Sequence, residues 1–295
     1  MKVLITGSAG RIGRHIYVQL MAQHEVVGFD RSPCSTTDVV GDLRDRALLD
    51  KALIGVEVLI HCAALHAPQL GHCSDDEFTD INVQATEQLL QLAAKHQVAH
   101  IIYTSTTALY GEASTPTGRA GWINEATLPQ PKTIYHRSKV AAEQRLQQFA
   151  VAQGLPVTVL RIGRCFPEAA DKMAVYRLHR GIDARDVASA HCCALNQRLS
   201  GFNCFIISAP TPFRQRHCQQ LFEGADQLIT ELEPQLAAEF ARRGWLLPRR
   251  IDRVYDSSLA QQRLGWRPRY GYQGVLDLLD EHIAEVLPVR RCERH

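Results

Sequence analysis

Five short apolar runs punctuate the first 160 residues: Val3 to Thr6, Val26 to Phe29, Val58 to Ile60, Ile101 to Tyr103 and Val157 to Leu160. Between them apolar residues recur at helical spacing. In Glu77 to His96, for example, Phe78, Ile81, Ala85, Leu89, Leu92 and Ala93 form one stripe behind a cap at Ser74 or Asp75. Strands that are apolar throughout must be covered on both faces, and helices between consecutive strands supply the cover when the strands run parallel. The pattern predicts an α/β fold, a doubly wound parallel sheet. After Arg161 it becomes irregular, with a helix at Ala184 to Asn196, a strand at Cys204 to Ile207 and a charged helical stretch from Ala225 to Arg243. In the last segment Gly265 and Pro268 interrupt the helical period of Asp256 to Leu264 before Val275 to Val286 resumes it. At 295 residues the chain is long for one domain. We therefore divide it into a nucleotide-binding core, residues 1–160, and a smaller mixed lobe, 161–295, with elements returning to the core.

The first run flows directly into Thr6-Gly7-Ser8-Ala9-Gly10-Arg11-Ile12-Gly13, which opens a helix. A pyrophosphate placed there meets free backbone amides and the positive helix end. Gly7 permits the tight turn, Gly10 lets a ligand approach the backbone, and Gly13 lets helix and strand pack closely. Asp30 ends the second run about twenty residues on, where a carboxylate accepts from adenosine ribose hydroxyls and repels a 2′-phosphate. That favours NAD over NADP. Arg31 pulls the other way, since its guanidinium can pair with such a phosphate or stack on adenine. Asp42, after a third short strand and followed by Leu43, is a candidate for the adenine amino group or an ordinary turn aspartate.

Bulk properties exclude several classes. A net charge of +2 with scattered cations gives no footprint for nucleic acid. No apolar run reaches membrane-spanning length, and Lys2 to Thr6 is too short for a signal-peptide core. Nine cysteines, an odd number, suit reduced thiols and a cytoplasmic protein. His61, Cys62, His66, His72 and Cys73 crowd one stretch, but no second ligand pair stands at finger-like spacing, so no metal is expected.

Tyr135-His136-Arg137-Ser138-Lys139 heads a further helix, and the four-residue spacing puts Tyr135 and Lys139 on one face. An ammonium beside a phenol stabilises the phenolate, which suits proton transfer. Together with the glycine turn, Asp30, His61-Cys62-Ala63-Ala64, Asn82 and Thr104 to Gly111, this pair resembles the extended short-chain dehydrogenase/reductases, the NAD-dependent epimerase/dehydratase family. Asp183 to Ala188 and Leu264-Gly265-Trp266-Arg267-Pro268 resemble later motifs of the same family. The resemblance implies a Rossmann core binding NAD, with Cys62, Ala63, Ala64, Asn82 and Thr104 along the cofactor channel. It implies that Thr106, with Ser105 as the rival, and Tyr135 bind the reacting oxygen. Lys139 would hold the nicotinamide ribose and depress the tyrosine pKa. A homodimer through the helices beginning near Glu77 and Thr133 is also implied.

Only about two dozen residues separate Arg161 from Asp183, where relatives acting on nucleotide sugars carry a longer insertion. Leu160 to Cys165 looks like the equivalent run of uronate dehydrogenases, whereas the Thr106 motif is epimerase-like. The expected substrate is a carbohydrate, oxidised transiently or fully at a secondary alcohol. Three readings stand: a nucleotide-sugar epimerase or dehydratase, a dehydrogenase of a free sugar or uronic acid, or an NAD-responsive binding protein without chemistry. Among Arg164, Arg177, Arg180 and Arg185, Arg164 is the preferred partner for a substrate anion, and His66 is a candidate for the pocket mouth.

Overall fold

Leu4 and Ile5, Leu59 and Ile60, and Ile101 and Ile102 are neighbours in sequence, and each pair divides between two separate cores. That division is what a strand buried on both faces requires. In the computed structural model, which describes residues 1–289, the strands are β1 (Lys2–Thr6), β2 (Glu25–Asp30), β3 (Val39–Val40), β4 (Val58–His61), β5 (His100–Thr106), β6 (Gly121–Ile123), β7 (Val157–Ile162), β8 (Phe202–Ile207) and β9 (Arg253–Tyr255). Seven form one parallel sheet in the order β3-β2-β1-β4-β5-β7-β8, while β6 and β9 pair in a small parallel sheet of their own. The order reverses between β1 and β4, so a crevice opens at their carboxyl ends.

Helices α1 (Arg11–Leu20), α2 (Arg46–Ala52), α3 (Asp75–Thr79), α4 (Ala85–Lys95), α5 (Ile134–Gln153), α6 (Ala170–His179) and α7 (Ala184–Gln197) follow the strands. One face of the sheet packs Ile5, Ile60, Ile102 and Phe205 against Ile16 of α1 and Val187 of α7. The other packs Leu4, Leu59, Ile101 and Val159 against Leu49, Leu89 and Leu146 of α2, α4 and α5. Each such side chain, wholly buried, is worth about 1.5–3 kcal/mol of transfer free energy. A third core, with Met173, Phe213, Leu228, Phe240, Val254 and Leu276, joins α6 to β9 and to α8 (Cys218–Glu223), α9 (Ala225–Leu232), α10 (Pro234–Arg243) and α12 (Tyr272–Asp280). The short α11 (Ser258–Arg263) packs back on the sheet.

Several elements differ from the sequence reading for local reasons. The stripe Glu77 to His96 is interrupted by a π-helical turn, Asp80–Gln84, between α3 and α4. Ser74 is the cap, accepting from Glu77 N at 3.2 Å while Glu77 Oε2 accepts from Ser74 N at 2.8 Å. The stretch Ala225 to Arg243 breaks at Pro234, whose missing N–H and fixed φ end α9 and start α10. The last helix stops at Asp280, and His282 turns left-handed at φ 56°. Beyond it Val286 is buried in the third core, and Leu287 pairs with Ala169. The two late motifs meet each other. Trp266 Nε1 donates to Asp186 O (3.1 Å) and Ser189 Oγ (3.0 Å), and the Asp186 carboxylate accepts from the amides of Arg269 and Tyr270, both at 2.9 Å.

Candidate active site

The turn into α1 is held by backbone contact. Gly7 has φ +76° and its amide donates to Phe29 O at 2.9 Å. A Cβ on Gly13 would stand 2.1 Å from Gly7 O, so helix and strand approach closely only because that position is glycine. Two adjoining cavities flank this turn, of about 290 and 300 Å³. Gly7, Gly10, Cys62, Ala64 and His66 belong to both, so they form one groove across the helix N-terminus and the crevice.

Asp30, Arg31, Asp42, Leu43 and Ala63 line the first cavity. Asp30 accepts from Ala9 N (3.0 Å) and Ser32 N (2.9 Å), which fixes the carboxylate at the β2 end. Asp42 is gripped by Arg44 Nε (2.8 Å) and Nη2 (2.6 Å), and the Arg44 guanidinium holds its carboxyl at about 2 despite the opposing effect of partial burial. Asn82 stands behind the cavity wall rather than in it. Its Oδ1 accepts from Leu65 N at 2.7 Å, and its Nδ2 donates to Leu65 O and Ser138 Oγ, both at 2.9 Å. The expected channel contact is thus replaced by a clamp on the loop after β4, because the π turn points this side chain at buried backbone.

Arg11, Ile12, Gly13, Thr104, Ser105, Thr106, Tyr135, Lys139 and Arg164 line the second cavity. Thr133 caps α5, accepting from His136 N at 3.2 Å, and so presents Tyr135 in the first turn. Lys139 Nζ donates to Thr104 O at 2.8 Å and lies 4.1 Å from the centre of the Tyr103 ring. Thr106 Oγ1 accepts from Ala108 N at 3.1 Å, leaving its proton to donate. Ser105 points elsewhere, its hydroxyl donating to Glu143 Oε1 at 2.5 Å, so the geometry favours Thr106 over its rival. Burial pushes the Tyr135 phenol up to about 12, against a downward pull from the Thr106 hydroxyl. Burial also takes the Lys139 ammonium down to about 7, against Glu143 and Cys62. The depressed phenol expected from the pair is therefore not what the protein alone sets, because desolvation penalises both charged forms more than the neighbours favour them.

Around this pair the polar groups are ordered by their neighbours. His191 Nδ1–H donates to Val187 O (2.8 Å), so Nε2 accepts from Thr104 Oγ1 (2.8 Å), which in turn accepts from the Cys62 thiol (3.0 Å). His61 lies between Thr6 (2.6 Å) and Thr86 (3.0 Å), driven by burial to a pKa of about 3. Among the described residues no three His, Cys, Asp or Glu side chains converge on a metal position.

Of the four arginines weighed for an anion, two reach the cavity and two do not. Arg164 lines it but is paired with Glu168, and Arg180 lines it stacked on Tyr176 at 4.1 Å. The buried Nε of Arg180 has no hydrogen-bond partner among the described residues. Arg177 and Arg185 instead pair with Asp183, at 3.2 and 2.9 Å. The sequence reading missed Arg253, which β9 delivers to the cavity from about ninety residues beyond β7 in the chain, with Nε and Nη2 donating to Asp252 (3.0 and 2.6 Å) and Nη1 to Ser114 Oγ (2.7 Å). No Asp or Glu lines this cavity among the described residues.

A sequence profile of the NAD dependent epimerase/dehydratase family matches residues 3–174. The chain is 27% identical over 201 residues to the uncharacterized UDP-glucose epimerase YtcB of Bacillus subtilis, covering 60% of this chain and 61% of that protein. It is 31% identical over 172 residues to a UDP-glucose 4-epimerase of Halalkalibacterium halodurans, covering 55% and 50%. The chain thus spans about half to three-fifths of the length of these curated relatives. In fold it resembles a short-chain dehydrogenase/reductase superfamily protein from Agrobacterium tumefaciens solved with bound NAD, with a TM-score of 0.72 at 19% identity over 97% of this chain and 99% of that one. With the matching profile covering more than half of its length, the chain belongs to the NAD dependent epimerase/dehydratase family.

Proposed function

We propose that this protein moves a hydride between a secondary alcohol or ketone of a carbohydrate and the nicotinamide of NAD, as a nucleotide-sugar epimerase or dehydratase does. The observation that carries the reading is the convergence of Thr106, Tyr135 and Lys139 on one cavity that continues past the glycine turn to Asp30. The residues present fit NAD. A side chain at Gly7 or Gly13 would fill the turn, the first turn of α1 has no acidic residue, and a carboxylate waits at the β2 end. Bound there, NAD supplies the hydride acceptor and donor. Gly10, Arg11, Ile12 and Gly13 would hold the pyrophosphate, with Cys62, Ala63, Ala64 and Thr104 along the nicotinamide side. Thr106 Oγ donates to the substrate oxygen, and Tyr135 Oη takes the alcohol proton in the oxidative direction and returns it in the reductive one. The form of Tyr135 that takes the proton is the phenolate and the form that returns it is the phenol, and Lys139 supplies positive charge beside the phenolate form.

Arg180, in a cavity that no carboxylate lines among the described residues, supports a substrate bearing an anionic group, either a diphosphate or a sugar carboxylate, with the Asp252-paired Arg253 beside it. Arg164 and His66 stand at the same wall. The remaining parts of the reading are a core of residues 1–160 with a mixed lobe, 161–295, a cytoplasmic location and a homodimer through the helices beginning near Glu77 and Thr133, α3 with α4 and α5. Among the described residues no helix is long and apolar enough to cross a membrane. Most exposed residues of α4 and α5, such as Glu87, Gln91, Gln144 and Arg145, are polar, with Val151 an apolar exception, so such a dimer would be joined mostly by polar contacts, and sedimentation at micromolar protein tests it.

The test of function incubates the protein with NAD and separate panels of nucleotide sugars, free sugars and uronic acids, following NADH absorbance and product identity together. Isomer or keto-sugar without net NADH supports the epimerase or dehydratase branch. Stoichiometric NADH with a free sugar or sugar acid replaces it with the dehydrogenase branch, and NAD binding with no turnover of any panel member would leave a binding protein.

A further inference from the structure

Three consecutive residues at the end of β5 are held in three different ways. Thr104 gives its carbonyl to Lys139, Ser105 gives its hydroxyl to Glu143, and Thr106 faces Tyr135. Tyr135, Lys139 and Glu143 lie at successive four-residue steps on the buried face of α5. Glu143 is itself pinned from the next strand. Arg161 is the register partner of Ser105 on β7, and its Nε donates to both Glu143 oxygens (3.1 and 3.2 Å) while Nη2 donates to Oε2 (2.6 Å). Arg161 Nη1 also donates to Tyr110 Oη (2.9 Å), whose proton goes to Asn124 O (3.1 Å).

A carboxylate buried to this degree is costly unless its oxygens are satisfied, and here every contact it makes runs to the strand end and its neighbour. The groups facing Lys139 from each side are Tyr135 and Glu143 on its own helix, His61 and Cys62 at the end of β4, His66 in the following loop and Tyr103 on β5. Glu143 is the carboxylate among them. Arg161 stands behind it on β7. We propose that Glu143, held by Ser105 and Arg161, is a positioning residue that fixes the strand end bearing Thr106 against the helix bearing Tyr135 and Lys139, and supplies the negative charge facing the Lys139 ammonium. This rests on the reading of Tyr135 and Lys139 as the proton-transfer pair.

The charge and the contact can be separated. Glu143→Gln removes the charge and keeps a hydrogen-bonding side chain, whereas Ser105→Ala keeps the charge and removes the strand contact. In the full chain labelled with ¹³C-lysine, the Lys139 side-chain signal is assigned by its loss in Lys139→Arg and followed against pH. Glu143→Gln should move its midpoint down by about one pH unit, and Ser105→Ala should leave it in place. With NAD and the carbohydrate turned over in the panels above, both variants should lose about tenfold or more in kcat. Glu143→Gln should also lose activity on the alkaline side at lower pH, since an ammonium that deprotonates earlier is lost earlier. An unmoved Lys139 midpoint in folded Glu143→Gln, or full turnover in Ser105→Ala, overturns the proposal. If Glu143→Gln does not fold, Glu143→Asp takes its place, expected to keep the midpoint and lose turnover, and full turnover there overturns the proposal equally. Full turnover in Tyr135→Phe removes the underlying pair instead, and the lysine titration still reports on Glu143.

Discussion

Gly13→Ala should weaken NAD binding far more than it weakens the fold. The added Cβ would stand 2.1 Å from Gly7 O, 2.8 Å from Gly7 C and 2.9 Å from Ser8 Cα, all backbone atoms that cannot rotate aside. Opening the first of these to the 3.0 Å below which real contacts essentially never fall moves the start of α1 by about 0.9 Å. A hydrogen bond from a helix amide to a phosphate oxygen, ordinarily about 2.9 Å, is then carried beyond about 3.2 Å. Charge-assisted bonds contribute about 1.5–3 kcal/mol each, so losing two costs at least about 3 kcal/mol, roughly a hundredfold in Kd. The overpacking itself costs about 1–3 kcal/mol, partly offset by about 1 kcal/mol from replacing glycine with alanine inside a helix. Calorimetric titration with NAD beside a thermal melt checks both numbers. The contrasting variant is Gly10→Ala, whose Cβ meets Gly7 O at 3.1 Å and should leave the melt nearly unchanged while obstructing the ligand. A Gly13→Ala protein that binds NAD within twofold of the parent would refute the close-approach argument.

Tyr135→Phe should cut turnover by about 10²–10⁴-fold with little change in NAD affinity, since it deletes the proposed proton carrier and leaves the ring packed against Phe78. Retained activity would mean that another group moves the proton. Arg180→Gln should raise KM for an anionic carbohydrate at unchanged kcat if it binds an anion distant from the reacting carbon, and equal KM values would release it from that role. Burial depresses six histidines, most strongly His61 and His179, to about 3, and His100 and His191, to about 4, with His66 and His136 lowered as well. A depressed pKa means that the unfolded chain takes up the proton first, so their contribution is complete above about pH 6.5 and is lost as pH falls toward 3–4. Urea unfolding should show stability falling below pH 6.5 by up to about 1.4 kcal/mol per pH unit for each histidine, and a flat profile between about pH 6 and 5 would contradict their burial as neutral rings.

What was legible in the sequence was whatever the local chain enforces. The sheet could be read because strands buried on both faces must be apolar at every position, and the glycine turn because its close approach excludes a side chain at Gly13. Tyr135 and Lys139 share a face by helical spacing alone. Contacts made across the fold were not legible. Ser105 and Thr106 are adjacent hydroxyls of the same kind, and only the arrival of Glu143 from α5 and Arg161 from β7 turns one of them away. Asn82 reads like any polar residue at a helix face until the π turn aims it at Leu65. The cation wall was the hardest of all, because Arg177 and Arg180 stand three residues apart on one stretch of chain. Asp183 captures the first, while the second stacks on Tyr176 at the cavity, and Arg253, itself paired with Asp252, joins it only because β9 pairs with β6 beside the cavity. On the proposed reading, the charge that a substrate meets is set by where each arginine stacks and which partners it finds, and that is settled by tertiary packing rather than by spacing.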